Sequence, residues 1–274
     1  MSEGQGSNPF MRNTNPPPGI AGHNRTLVTS HYAVMPPEGI VESRLPGLRN
    51  TLVRFQTAPA MGARFAQALL EIGADGGTIR PIDDGLEHFL YLLSGPLDVT
   101  VGTQTNRLDA GGFVYVPAGT ALSFAAAAGA RAIWIKRPYE ALPDHPSPGT
   151  IFSHRDKVER RLKHTDGRVW QHLLPDEDMS FDMGVNILSF APGTYFPFVE
   201  THIMEHGLYM LRGQGLYLLG RDWHECWAGD FIWMASYVPQ QFYCTGWEQA
   251  AYLLYKDINR DVRFGGMAAA PCRP

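Results

Sequence analysis

The chain has 274 residues, 44% of them hydrophobic, and a formal net charge of -4, enough apolar material for one large core or two of about 100 to 130 residues each. The charge offers no basic field to nucleic acid and no run of about 18 apolar residues offers a membrane span, so neither partner is expected. Met1 to Pro9 lack the basic start and apolar centre of a secretory leader, and the three scattered cysteines, Cys226, Cys244 and Cys272, read as reduced, buried thiols of a cytoplasmic protein.

In chain order, residues 1–24 are polar and include Pro16-Pro17-Pro18-Gly19, which reads as a tail. From Arg25 onward short apolar or alternating runs follow one another: Thr26–Thr29, Asn50–Phe55, Ala66–Ile72, His88–Leu93, Leu97–Val101 and Gly112–Val116, separated by Gly, Pro and Asp turns. Many short strands at near-regular spacing predict an all-β sandwich or barrel. Residues 138–178 are Pro-rich and then charged, and read as a linker with one short helix.

Sliding the chain on itself by 118 positions exposes an internal repeat. Glu87-His88 falls on Glu205-His206, and Leu90, Tyr91, Leu93, Gly95, Gly102, Ala110, Gly111 and Phe113 fall on identical residues from Leu208 to Phe231. Two copies of one β unit are therefore predicted. Tyr91 and Tyr209 match, which favours core packing. Tyr217 falls on Val99, which leaves it free for function.

The chemistry concentrates in Glu200-Thr-His202-Ile-Met-Glu205-His206-Gly207. Residues two apart in a strand share a face, so Glu200 and His202 can aim at one point, and His206 reaches it if the chain turns before Gly207. A later strand brings Gln240 or Gln241 back to the same place. The counterparts of Glu200, His202, His206 and Gln240 in the first copy are Ile82, Asp84, His88 and Leu122, at best half a cage, so the first copy is read as structural. Glu205 is out of phase and is expected to point outward or to stabilise the turn. In the last strand, period two puts Tyr252, Leu254 and Lys256 on one face. Imidazole, carboxylate and amide donors without thiolate suit manganese or, less well, ferrous iron.

Two β units with Gly-marked turns and a ligand cluster at the start of a hairpin resemble the cupin superfamily, specifically bicupins. The run Phe181–Gly193, the stretch Glu200–Tyr217 and the ending Tyr255-Lys-Asp-Ile-Asn-Arg-Asp-Val resemble the (S)-ureidoglycine aminohydrolase family. The resemblance implies two tandem jelly-roll barrels: a polar tail at 1–24, a first barrel at 25–137 without a metal, a linker at 138–178, a second barrel with the metal at 179–264, and a tail at 265–274. It implies manganese on Glu200, His202, His206 and Gln240. Substrate contacts from Glu200, Tyr217, Gln240, Tyr252 and Lys256 are implied as well, with Glu200, Lys256 and Tyr217 expected to serve catalysis. The expected reaction releases ammonia from (S)-2-ureidoglycine, a small-molecule ureide, in a homo-oligomeric enzyme. A metal-dependent cupin oxygenase or isomerase and a non-catalytic small-molecule-binding cupin are the alternatives.

Overall fold

The computed structural model describes residues 25–163 and 167–262, and among these the chain is almost wholly strand and turn. In order, β1 (Leu27–Val28) and β2 (Tyr32–Met35) precede β3 (Leu48–Thr57), β4 (Ala66–Thr78), β5 (Glu87–Ser94), β6 (Leu97–Val101), β7 (Gln104–Leu108), β8 (Gly112–Val116), β9 (Leu122–Ala126) and β10 (Ala130–Arg137). Then β11 (Ile151–His154), β12 (Arg161–Lys163) and β13 (Arg168–His172) lead to β14 (Met183–Phe190), β15 (His206–Arg212), β16 (Gln214–Leu219), β17 (Asp222–Trp227), β18 (Phe231–Met234), β19 (Gln240–Cys244) and β20 (Ala250–Asp257).

Strands β3 to β11 form one nine-stranded sheet. The second half builds an eight-stranded sheet, β1-β2-β18-β15-β20-β14-β13-β12, and a three-stranded one, β17-β16-β19. The result is the expected all-β pair of tandem barrels.

Period two explains why the central strands are buried on both faces. In β5, Leu90 and Leu92 point into the first barrel with Val99, Val114 and Phe124. Phe89 and Tyr91 point the other way, where they meet Tyr209, Phe231 and Trp233 of the second half. In β15, Leu208 and Met210 line the second barrel with Phe190, Phe242 and Tyr252. One face fills a barrel and the other seals barrel to barrel, so β5 and β15 are buried on both faces over most of their length.

The repeat is visible in strand register. His88 lies opposite Val116 and His206 opposite Met234; the isolated bridge Ile82–Leu122 matches Glu200–Gln240. The offset slips at the last strand, because the loop 245–249 before β20 is two residues longer than the loop 127–129 before β10. His88 therefore pairs with Lys136 where His206 pairs with Lys256.

The expected partition needs correcting at both joints. Leu27–Met35 belongs to the second sheet, where β2 pairs with β18, and Arg25 bonds Asp230 at 2.6 Å and lies 4.0 Å over the Trp227 ring. The presumed linker supplies β11, which pairs with β8 of the first sheet, and β13, which pairs with β14 of the second. Each sheet has an edge whose backbone groups need partners, and these outlying segments supply them. The helix expected in the linker is a single 3-10 turn, Arg155–Lys157. The expected tail at 1–24 lies outside the described residues.

Candidate active site

Glu200 and Gln240 are joined through the backbone: Glu200 N donates to Gln240 O at 2.8 Å and Gln240 N to Glu200 O at 2.9 Å. The chain then turns, and His206 opens β15. The turn is tied down on two sides. Tyr237 N donates to His202 O at 2.7 Å and Thr201 Oγ1 to Tyr237 O at 2.9 Å.

Below the turn, Glu205 is buried. Its carboxylate accepts from Trp233 Nε1 at 2.7 Å and from the Arg64 backbone N–H at 3.0 and 3.1 Å, while its own N–H donates to Asp257 Oδ1 at 2.6 Å. Glu205 thus stabilises the turn from inside and does not point outward as the phase of the strand suggested. The reason is that the segment between Glu200 and His206 is not a strand. Gly207 is needed for the same docking, since a Cβ there would lie 2.5 Å from the Phe65 ring.

The turn brings His202 and His206 together with Nε2 atoms 3.2 Å apart, and Gln240 Nε2 lies 2.9 Å from His202 Nε2. These groups lie at the mouth of the second barrel in a cavity of about 520 Å³, whose lining includes Glu200, Tyr217, Tyr252 and Lys256. Its rim is apolar, with Phe196, Phe198 and Val199. Gln241 faces the other way and donates to Phe196 O at 2.6 Å, so period two resolves the choice between the two glutamines.

Burial lowers the pKa of both imidazoles, that of His206 to about 3, and the adjacent rings and the Lys256 ammonium further disfavour a charge there. Both rings are neutral at pH 7. Burial raises the Glu200 carboxyl above its ordinary range, partly offset by Arg168. Burial also raises Tyr217 and Tyr252, which remain neutral phenols. Tyr217 Oη donates to Gln240 Oε1 at 3.1 Å, so its hydroxyl is committed to orienting Gln240. Lys256 Nζ lies 2.6 Å from Asp176 Oδ2.

Sequence reasoning missed Asp176, Asn186, His172 and Arg64. Asn186 left a signal, a lone amide inside the wholly buried strand β14. Asp176 left none, because it stands in a loop of acidic residues that reads as solvated.

The chain is 34% identical over 245 residues to the (S)-ureidoglycine aminohydrolase of Escherichia coli (strain K12), covering 87% of this chain and 93% of that protein. The chain belongs to the (S)-ureidoglycine aminohydrolase family. The enzyme of the same name from Arabidopsis thaliana is 32% identical, over 88% of this chain and 80% of its own length. Among solved structures, protein Ylba from E. coli matches with a TM-score of 0.80 and 32% identity, covering 88% of this chain and 97% of that one. An oxalate decarboxylase matches at 0.64 with 12% identity, over 84% of this chain and 78% of its own, a likeness of fold alone. No protein-family model matches the chain.

A ureidoglycine aminohydrolase with this donor set suits a divalent ion. A neutral imidazole carries one proton, so the facing Nε2 atoms satisfy each other only if one bears it. Both Nδ1 atoms are buried without a partner, so every tautomer leaves a buried nitrogen unsatisfied. With both protons on Nδ1, two lone pairs face one point beside the Gln240 amide. Among the described residues no three His, Cys, Asp or Glu side chains converge on one point; Glu200 lines the same cavity as the two rings. Imidazole, amide and carboxylate together make a mixed N/O set.

In the first barrel of this aminohydrolase the equivalent side chains bond one another. His88 Nε2 lies 3.1 Å from Asp84 Oδ1, Trp134 Nε1 donates to His88 Nδ1 at 3.1 Å, and Lys136 Nζ lies 3.4 Å from Asp84 Oδ2. Every nitrogen of that ring has a partner.

Proposed function

We propose that this enzyme holds a manganese ion on Glu200, His202, His206 and Gln240 and releases ammonia from (S)-2-ureidoglycine to give (S)-ureidoglycolate in ureide catabolism. The observation that carries this reading is the convergence of two neutral imidazoles and the Gln240 amide at one wall of a cavity that also presents Glu200 and Lys256. When bound, a divalent ion supplies Lewis acidity to polar groups of the substrate.

The remaining work falls to side chains. Lys256, on the same face of β20 as Tyr252 and Leu254, anchors the substrate carboxylate. Glu200 has the carboxyl raised by burial, which suits it to carry a proton between the incoming water and the departing nitrogen. The carbon–nitrogen bond breaks, the nitrogen leaves as ammonia with the proton it gains, and the water oxygen takes its place. Tyr217 bonds Gln240 Oε1 and leaves Gln240 Nε2 toward His202, so ligation would call for the amide oxygen to turn toward the rings; Tyr252 lies beside Tyr217, with ring centroids 6.4 Å apart. The apolar rim limits access of bulk water to the aminal carbon. The reading includes a cytoplasmic homo-oligomer.

The deciding assay is ammonia release from freshly generated ureidoglycine by metal-stripped protein, with manganese or ferrous iron added back, and the handedness of the product. Glu200→Ala and Lys256→Met should each lose at least about 100-fold in kcat/KM, the scale of a general base or a charged anchor. A Glu200→Ala protein as active as the parent overturns the reading.

A further inference from the structure

Lys256 does not stand alone at the cavity wall. Its Nζ lies 2.6 Å from Asp176 Oδ2, and the same oxygen is 3.1 Å from His172 Nδ1 and 3.1 Å from Asn186 Nδ2. A carboxylate oxygen only accepts, so the Asn186 amide is turned with its nitrogen to Asp176. The three donors come from three neighbouring strands: His172 from β13, Asn186 from β14 and Lys256 from β20. His172 lies directly opposite Asn186, and Asn186 opposite Leu254. Space for the pair is kept by Gly184, directly opposite Lys256, where a Cβ would lie 2.9 Å from Lys256 Cε and 3.0 Å from Asp176 Oδ1.

Lys256 also lines a second cavity of about 320 Å³, which includes Asp176, Arg64 and Arg260, and only Lys256 and Met204 line both cavities. A four-carbon stem with a single charge at its end has rotamers that serve either space. Asp176 selects among them, and its own position is fixed by two further donors, His172 and Asn186. The first barrel keeps a lysine at the matching place, Lys136, but pairs it with Asp84 of the His88 cluster, so an aspartate partner from the loop before β14 is particular to the second barrel.

The geometry points to Asp176 as a positioning residue that fixes the Lys256 ammonium at the wall between the two cavities, where it meets the carboxylate of a small ureido acid. This inference rests on the role given to Lys256 above. Asp176 acts through Lys256, so its effect must vanish when the lysine is gone.

The test is a double-mutant cycle of Asp176→Asn and Lys256→Met in the metal-loaded full chain. It is read in KM and kcat for ammonia release and in calorimetric affinity for N-carbamoylglycine, which keeps the carboxylate and ureido groups but has no amine to lose. Asp176→Asn should raise KM and weaken N-carbamoylglycine about 10-fold, with kcat changed less, because a misdirected anchor loses binding first. In the Lys256→Met background the same change should move neither by more than about 2-fold. His172→Phe, which removes only one brace of Asp176, should give a smaller loss that also disappears in that background. This serves if Asp176→Asn does not fold.

Losses that multiply across the cycle, or an Asp176→Asn protein with parental affinity, overturn the positioning role and leave the proposed function standing. A Lys256→Met protein with parental affinity removes the anchor itself and both readings with it.

Discussion

The indole Nε1 of Trp233 donates a 2.7 Å hydrogen bond to Oε1 of Glu205, and the first half holds its counterpart, Tyr115 Oη donating to Glu87 Oε2 at 2.7 Å. Glu87 and Tyr115 are the repeat partners of Glu205 and Trp233. Each barrel therefore has a buried glutamate at the start of its central strand, or just before it, clamped by an aromatic donor of the neighbouring strand. In the second barrel that clamp also fixes the turn carrying His202. Glu205→Ala is expected to lower stability by about 2 to 4 kcal/mol, since it strands buried donors, and to weaken metal retention. Denaturant titration and metal content of the purified variant check both.

The second glutamate has a different consequence. Burial, with Asp182 close by, raises the Glu87 carboxyl to about 9 from an ordinary 4.5. The folded protein therefore holds a proton there that the unfolded chain has released, so this group's contribution to stability falls as pH rises from about 4.5 to about 9. Glu87→Gln should flatten that part of the stability profile, with the thermal midpoint at pH 8.5 moving closer to that at pH 6.5. Parallel profiles for the two proteins would contradict the assignment.

The histidines work from the acid side. The His206 imidazole is lowered to about 3 from an ordinary 6.5 by burial, and the His202 ring and the Lys256 ammonium further disfavour a charge there. Below about pH 6.5 the unfolded chain takes up protons that the folded ring refuses, so stability falls as pH falls, and the trend ends near pH 3. The metal-free protein should lose thermal stability between pH 7 and 5, and His206→Gln should lose less over the same interval. Metal affinity should weaken over that range too, since protons and the ion compete for the same nitrogens.

Gly207 tests the joint between barrels. A methyl group there would sit 2.5 Å from the Phe65 ring, and Phe65 stacks on Tyr255 with centroids 4.0 Å apart. Gly207→Ala should cost about 1 to 3 kcal/mol by overpacking, and Phe65→Leu in the same chain should recover part of it. Urea denaturation of the four combinations measures the coupling.

Much of this molecule is written locally. Short apolar runs such as His88–Leu93 and Leu97–Val101 marked strands, and the 118-residue repeat exposed two β units, because both signals depend on side-chain order and turn glycines, which a chain carries in its own sequence. The common face of Tyr252, Leu254 and Lys256 on one cavity wall followed from period two, whereas the period of a strand did not apply to Glu200 and His202, because the chain turns there.

Tertiary structure alone decided what each group touches. Glu205 was out of phase for a strand and became a buried clamp, since the chain there turns and Arg64 and Trp233 arrive from elsewhere. Leu27–Met35 went to the second barrel because an open sheet edge takes whichever strand can reach it. Asp176, in a loop with no pattern of its own, met Lys256 at 2.6 Å only when β13, β14 and β20 were laid side by side. A periodic pattern fixes which way a residue faces, whereas the partner of a buried charge is chosen by distances between segments far apart in the chain.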